Sequence, residues 1–206
     1  MGQTFAEKKG ARGSPGCRWL CTFLLAVGCL ASTAAAEGGP RSEIEKALRL
    51  GVSILGDSRL KQDTRFERLR EAVLPLFDFS EMARRSLGAH WRRRTPEQRK
   101  EFTALFTRLL EQTYASRIAS YNGQRMHFIR EEIDGRFAQV DTRIVDQEGR
   151  RFDVDYRLHR VKELGGWRIY DIVIADISLV NNYRAQFNRV INRNSYEALV
   201  ARLRGS

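Results

Sequence analysis

Cysteine is nearly absent from this 206-residue chain: Cys17, Cys21 and Cys29 are the three, and all fall within the first 36 residues. Beyond residue 36 there is no thiol, which excludes a disulfide and a Cys-ligated metal from that part. Histidine is as scarce. His90, His127 and His159 are too scattered for a recognised metal spacing, so each reads as a surface or interfacial residue. No serine sits in a Gly-x-Ser-x-Gly turn, and Ser178 reads as a helix cap rather than a nucleophile. Internal repeats and low-complexity stretches are also missing. The apolar run Trp19 to Ala31 has 13 residues, too short for a bilayer core of about 30 Å.

That run has another explanation. Lys8, Lys9, Arg12 and Arg18 precede it, and Ala34-Ala35-Ala36 follow it with small residues at −3 and −1 before Glu37. This is the layout of an export leader, so residues 1–36 are expected to be a signal peptide and 37–206 the mature domain. A short membrane anchor is the bland alternative. A rival cut is Ala26-Val27-Gly28-Cys29, a lipobox-like motif in which Cys29 would carry lipid. The formal charge is +11; the leader carries four basic residues and Glu7, so its removal leaves +8 and no cysteine. The mature chain is then expected in an oxidising compartment without disulfides, held by its core alone.

What is present suits one soluble globular domain: 42% hydrophobic and 30% charged residues. Ser42 with Glu45 predicts a capped helix to about Leu55, and Asp63 a second with Phe66, Leu69 and Val73 on one face. Pro75 closes that helix. Asp78 or Ser80 caps a short one, stopped by Gly88. Thr95, Pro96 and Gln98 form the clearest start signal, opening a long helix striped by Phe102, Leu105, Phe106, Leu109, Leu110, Thr113 and Ile118 and ending at Asn122-Gly123. Alternation then takes over. Strands are predicted from Met126 to Ile133, Phe137 to Asp146, Arg151 to Arg160, and from Trp167, with a turn at Asp134-Gly135. Ala138, Val140, Thr142 and Ile144 share a face; so do Phe152, Val154, Tyr156 and Leu158. The last strand runs directly into a helix capped by Ser178 and bearing Tyr183 and Phe187; a final helix spans Tyr196 to Leu203. Helices, then a meander, then helices is an α+β order, with helices expected on the apolar face of a four-stranded sheet.

Charged residues within this frame suggest little catalysis. Asp153 and Asp155 share a strand face and read as a solvated pair opposite Arg143 or Arg157. Asp171 interrupts an apolar strand in line with Trp167, Ile169 and Val173; an arginine partner is expected for it. The basic surplus includes Arg92-Arg93-Arg94. In an exported protein it points to anionic headgroups or an acidic partner surface and away from nucleic acid, with a merely solvated basic face as the bland alternative.

Several groups of residues together resemble a family. They are Phe77-Asp78-Phe79, Leu87-Gly88 with Trp91, Thr95 with Gln98, Phe102 and Tyr114, Trp167 with Tyr170-Asp171, and Ser178-Leu179-x-x-Asn182-Tyr183-Arg184-x-Gln186-Phe187. The set resembles the periplasmic phospholipid-binding proteins of the Mla pathway, also called toluene-tolerance auxiliary proteins, over Ser42 to Leu203. One departure is Asp176, where the family usually has Gly; Asp tolerates a left-handed backbone better than most residues.

The resemblance implies an NTF2-like α+β cone holding a phospholipid by its acyl chains. It implies a soluble periplasmic shuttle between an outer-membrane lipoprotein complex and an inner-membrane ABC transporter with its lipid-binding ring, maintaining outer-membrane lipid asymmetry. It implies no catalysis, no cofactor and no metal; a monomer is expected. The candidate cavity residues are Phe152, Val154, Tyr156 and Leu158, continued by Val140, Ile144, Ile169 and Val173, with Phe102 and Phe106 as the helical cover. Arg92, Arg93 and Arg94 are candidates for headgroup or partner docking. The competing readings are an NTF2-like enzyme using Asp171 on a small apolar substrate, and a ligand-free adaptor.

Overall fold

The computed structural model describes residues 38–119, 124–163 and 165–205. The expected leader, its three cysteines and the Asn122-Gly123 stop lie outside them. Four helices come first: α1 (Pro40–Gly56), α2 (Gln62–Val73), α3 (Phe79–Leu87) and α4 (Pro96–Ala119). An antiparallel meander follows, β1 (Arg125–Asp134), β2 (Phe137–Val145), β3 (Arg151–Val161), β4 (Gly166–Ile174) and the short β5 (Ile177–Ser178), in that spatial order. Helices α5 (Leu179–Arg193) and α6 (Tyr196–Arg204) complete the α+β order. The sheet thus has one strand more than the four expected.

Local chemistry explains most boundaries. Thr95 Oγ1 accepts from Gln98 N at 3.2 Å while Thr95 N donates to Gln98 Oε1 at 3.1 Å, a reciprocal cap on α4. Asp78 Oδ1 accepts from Glu81 N to start α3, and Ser178 Oγ accepts from Asn181 N to start α5. Two expected caps are not made. α1 begins earlier than Ser42, with Pro40 in its first turn, and Glu45 pairs with Arg41 instead. The free N–H of Arg41 donates to Glu131 Oε1 of β1, 90 residues away. α2 opens after Lys61 with no side-chain cap, leaving Asp63 inside its first turn. Gly51 lets α1 approach α2 closely: a Cβ there would lie 3.3 Å from Leu69 Cδ1.

Two bulges reset the sheet. In β3–β4 the register passes from Leu158↔Ile169 to Arg157↔Asp171, so Tyr170 is the extra residue. Side-chain parity flips there. Trp167 and Ile169 are continued on the apolar face by Ile172 and Ile174, which stand opposite Tyr156 and Val154. Asp171 and Val173 fall on the other face, which corrects the expected alignment of all four. A similar shift occurs in β1 between Phe128 and Arg130. At the β4–β5 turn, Ala175 (φ 47°) and Asp176 (φ 64°) both adopt left-handed backbone, so the turn survives without the glycine.

The apolar residues form two cores. On the sheet, Ala138, Val140, Leu158, Trp167 and Ile169 pack beneath Ile44 of α1, with Tyr156 at their edge. The cover is therefore α1 and not the helix bearing Phe102 and Phe106. Those two rings are fully buried in the second core, where each meets Phe187 edge-on at 5.6 and 5.5 Å. The ring edges of Tyr183 and Phe187 on α5, with Leu199, Val200 and Leu203 of α6, pack against these two residues of α4.

Candidate functional site

Ile172 and Ile174, in the outer half of β4, border a cavity of about 210 Å³. Phe66, Leu69 and Val73 of α2 form one wall. Phe77, Phe79 and Met82, before and within α3, form a second; Leu110 and Tyr114 of α4 and Leu179 of α5 close it. The surface turned to the cavity is apolar. Phe77 and Phe79 stack at 5.5 Å, which stiffens the segment between Pro75 and α3.

Two charged side chains stand in this lining, Arg70 of α2 and Glu111 of α4. They meet as a fork: Arg70 Nε donates to Glu111 Oε2 at 3.1 Å and Nη2 to Oε1 at 3.2 Å. Glu67 lies 4.0 Å from the same guanidinium.

None of the ten sequence-predicted cavity residues lines this space. Phe102 and Phe106 are in the helical core; Val140, Leu158 and Ile169 are under α1. Val154 and Tyr156 are cross-strand neighbours of the wall residues Ile174 and Ile172. Burial pushes the Tyr156 phenol up to about 12. Ile144 is half-buried and Phe152 47% exposed, both at the sheet's end, and Val173 points to the opposite face. The α2 wall was legible, because Phe66, Leu69 and Val73 were already read as one face. Arg70 breaks that same i, i+3, i+4, i+7 stripe, and a charge inside an apolar stripe is the signal that was available.

The polar candidates separate as well. Asp171 is buried and fully engaged: Oδ2 accepts from Ser178 Oγ at 2.6 Å and from Arg157 Nη1 at 3.2 Å, and Oδ1 accepts from Val180 N at 3.0 Å. It fastens α5 to the sheet. Asp153 pairs with Arg143 at 2.7 Å. His159 Nε2 lies 2.9 Å from Asp78 Oδ2, and His90 Nε2 lies 2.8 Å from Asn188 Oδ1. Arg94 is largely covered, stacked 4.4 Å over Tyr196, so of the basic triplet only Arg92 and Arg93 are exposed.

A family model described as MlaC protein matches residues 48–205, from mid-α1 through α6. The chain belongs to the MlaC family. The Haemophilus influenzae protein named intermembrane phospholipid transport system binding protein MlaC is 24% identical over 194 residues, 91% of each chain. Among solved structures, the phospholipid-binding protein from Ralstonia solanacearum, in complex with a phospholipid, matches with a TM-score of 0.72 at 26% identity, over 82% of this chain and 96% of that one. Among the described residues no helix is long and apolar enough to cross a membrane.

Proposed function

We propose that this protein is a phospholipid carrier of the periplasm, taking acyl chains into the cavity between α2, α3, α4 and β4. In this reading it moves lipid between an outer-membrane lipoprotein complex and an inner-membrane ABC transporter with a lipid-binding ring. It does so as a monomer, without catalysis and without a cofactor. The observation that carries the reading is the apolar cavity in a chain of the MlaC family. The phospholipid complex of the Ralstonia relative supports it. Asp171, the one acid that favoured an enzyme, has both oxygens engaged and faces away from Ile172 and Ile174.

The energetics suit a carrier. Each methylene is worth about 0.8 kcal/mol on burial, so two chains of roughly 30 methylenes would cost on the order of 20 kcal/mol to expose to water. A cavity nearly as apolar as a bilayer removes that barrier, and near-equality lets a partner tip transfer either way. At about 210 Å³ the cavity is smaller than the roughly 300–1,000 Å³ of pockets that enclose drug-sized ligands. Loading two chains therefore requires a wall to move outward. Native mass spectrometry of protein purified from cells tests the reading. A co-purifying mass of phospholipid size is expected; a protein that is empty and stays empty after exposure to vesicles excludes a carrier and favours the adaptor.

A further inference from the structure

The geometry points to Arg70 as a ligand for the lipid phosphodiester, with Glu111 as its resting partner. The assignment rests on the carrier reading. Among the described residues lining the cavity, Arg70 is the only cation. Its side chain is 42% exposed and that of Glu111 23%, so the pair stands where the apolar wall meets water. A phosphate attached to chains inside the cavity must stop at that level, because burying it unpaired is prohibitive. The guanidinium fork already holds one planar anion by two parallel bonds, and the same fork fits two oxygens of a phosphodiester. Glu111 has water access and can turn outward when displaced.

The exchange has a mechanical consequence. Arg70 belongs to α2 and Glu111 to α4, 41 residues apart. Their fork straps one cavity wall to another. Moving Arg70 from carboxylate to phosphate releases α2 as the headgroup is captured, and the wall that must move is the one released. Glu67, one turn before Arg70 on α2, can hold the guanidinium without closing the strap.

The test exposes the mature protein to vesicles holding equal phosphatidylglycerol and diacylglycerol of the same chains, and identifies the bound lipid by mass spectrometry. Wild type is expected to prefer the phosphate-bearing lipid. Arg70→Gln should lose roughly tenfold of that preference, the scale of a charge-assisted hydrogen bond, and Arg70→Lys should retain part of it. Glu111→Gln, which removes the resting partner that competes with phosphate, should strengthen the preference several-fold. Circular dichroism checks that each variant folds; if Arg70→Gln does not, Glu111→Gln alone decides, and an unchanged preference overturns the assignment. Arg70→Gln with wild-type preference overturns it too, leaving the pair a structural strap. Wild type that takes both lipids equally sinks the phosphate site but keeps the carrier. Wild type that takes neither sinks both.

Discussion

Asp155 carries the least comfortable charge on the sheet. It stands directly opposite Asp141 across β2–β3, and burial followed by the Asp141 charge raises its carboxyl above the ordinary 3.8. Arg157 offsets this only in part, since it also serves Asp171. The sign is worked out from proton binding. A raised native pKa means the folded state holds this proton more tightly than the unfolded chain, so stability falls as pH rises through that window. At neutral pH the full penalty is present. Asp155→Asn should therefore stabilise the protein by up to about 1 kcal/mol at neutral pH, the scale of a cross-strand like-charge pair, with no gain below the ordinary carboxyl value. Urea unfolding at both pH values measures it; a variant no more stable at neutral pH contradicts it. The sequence reading grouped Asp153 with Asp155 as a paired face. That holds for Asp153 through Arg143. It fails for Asp155 because strand alternation does not reveal which residue of the next strand stands opposite.

At the scale of elements, what was legible had a local cause. The Asp78, Thr95 and Ser178 caps act over three residues, so their spacing shows in the chain. The cap that Glu131 gives α1 acts across 90 residues and leaves no such trace. The bulge at Tyr170 was equally silent, yet it decides which half of β4 meets the cavity. The stripe of α4 was read correctly as apolar and assigned to the wrong neighbour, since periodicity names a face but not what covers it. This division makes a paired prediction. Phe106→Ala should cost about 3–5 kcal/mol by emptying the α4–α5–α6 core, while folded molecules keep their lipid. Ile172→Arg should do the reverse: its stem can reach the mouth, so the fold holds and the lipid is lost. Urea unfolding with native mass spectrometry on both variants reads the outcome. A Phe106→Ala protein of undiminished stability that arrives empty would move the site back into the helical core.

Over the molecule as a whole, charge is divided unevenly. Three arginines on the polar face of the sheet are spent on carboxylates: Arg130 on Asp141, Arg143 on Asp153, Arg157 on Asp171. The surface made by the Gly88–Arg93 segment and α5 differs. His90 and Asn188 seat the Gly88–Arg93 segment against α5, where Arg92 and Arg93 are exposed and α5 adds Arg184, Arg189 and Arg193 at exposed positions. Leu179, the cavity residue of α5, is in its first turn and Arg193 is its last residue. At about 1.5 Å per residue that separates them by roughly 20 Å, more than two screening lengths of about 8 Å at physiological salt. Cations at that far end, Arg189 and Arg193 with the Arg92–Arg93 segment that His90 ties to Asn188, can pull the protein toward an anionic surface, yet they contribute little to holding the chains; Arg184, about 8 Å along the helix from Leu179, is too near to count among them. Arg94 is excluded from this role by its stacking on Tyr196, so the informative variant is Arg92→Ser with Arg93→Ser. It should transfer a fluorescent phospholipid to phosphatidylglycerol vesicles several-fold more slowly at low salt, with a flatter salt dependence, while its lipid-to-protein ratio stays at the wild-type value. Loss of bound lipid at an unchanged transfer rate would reverse the assignment and bring the basic surface into the binding site itself.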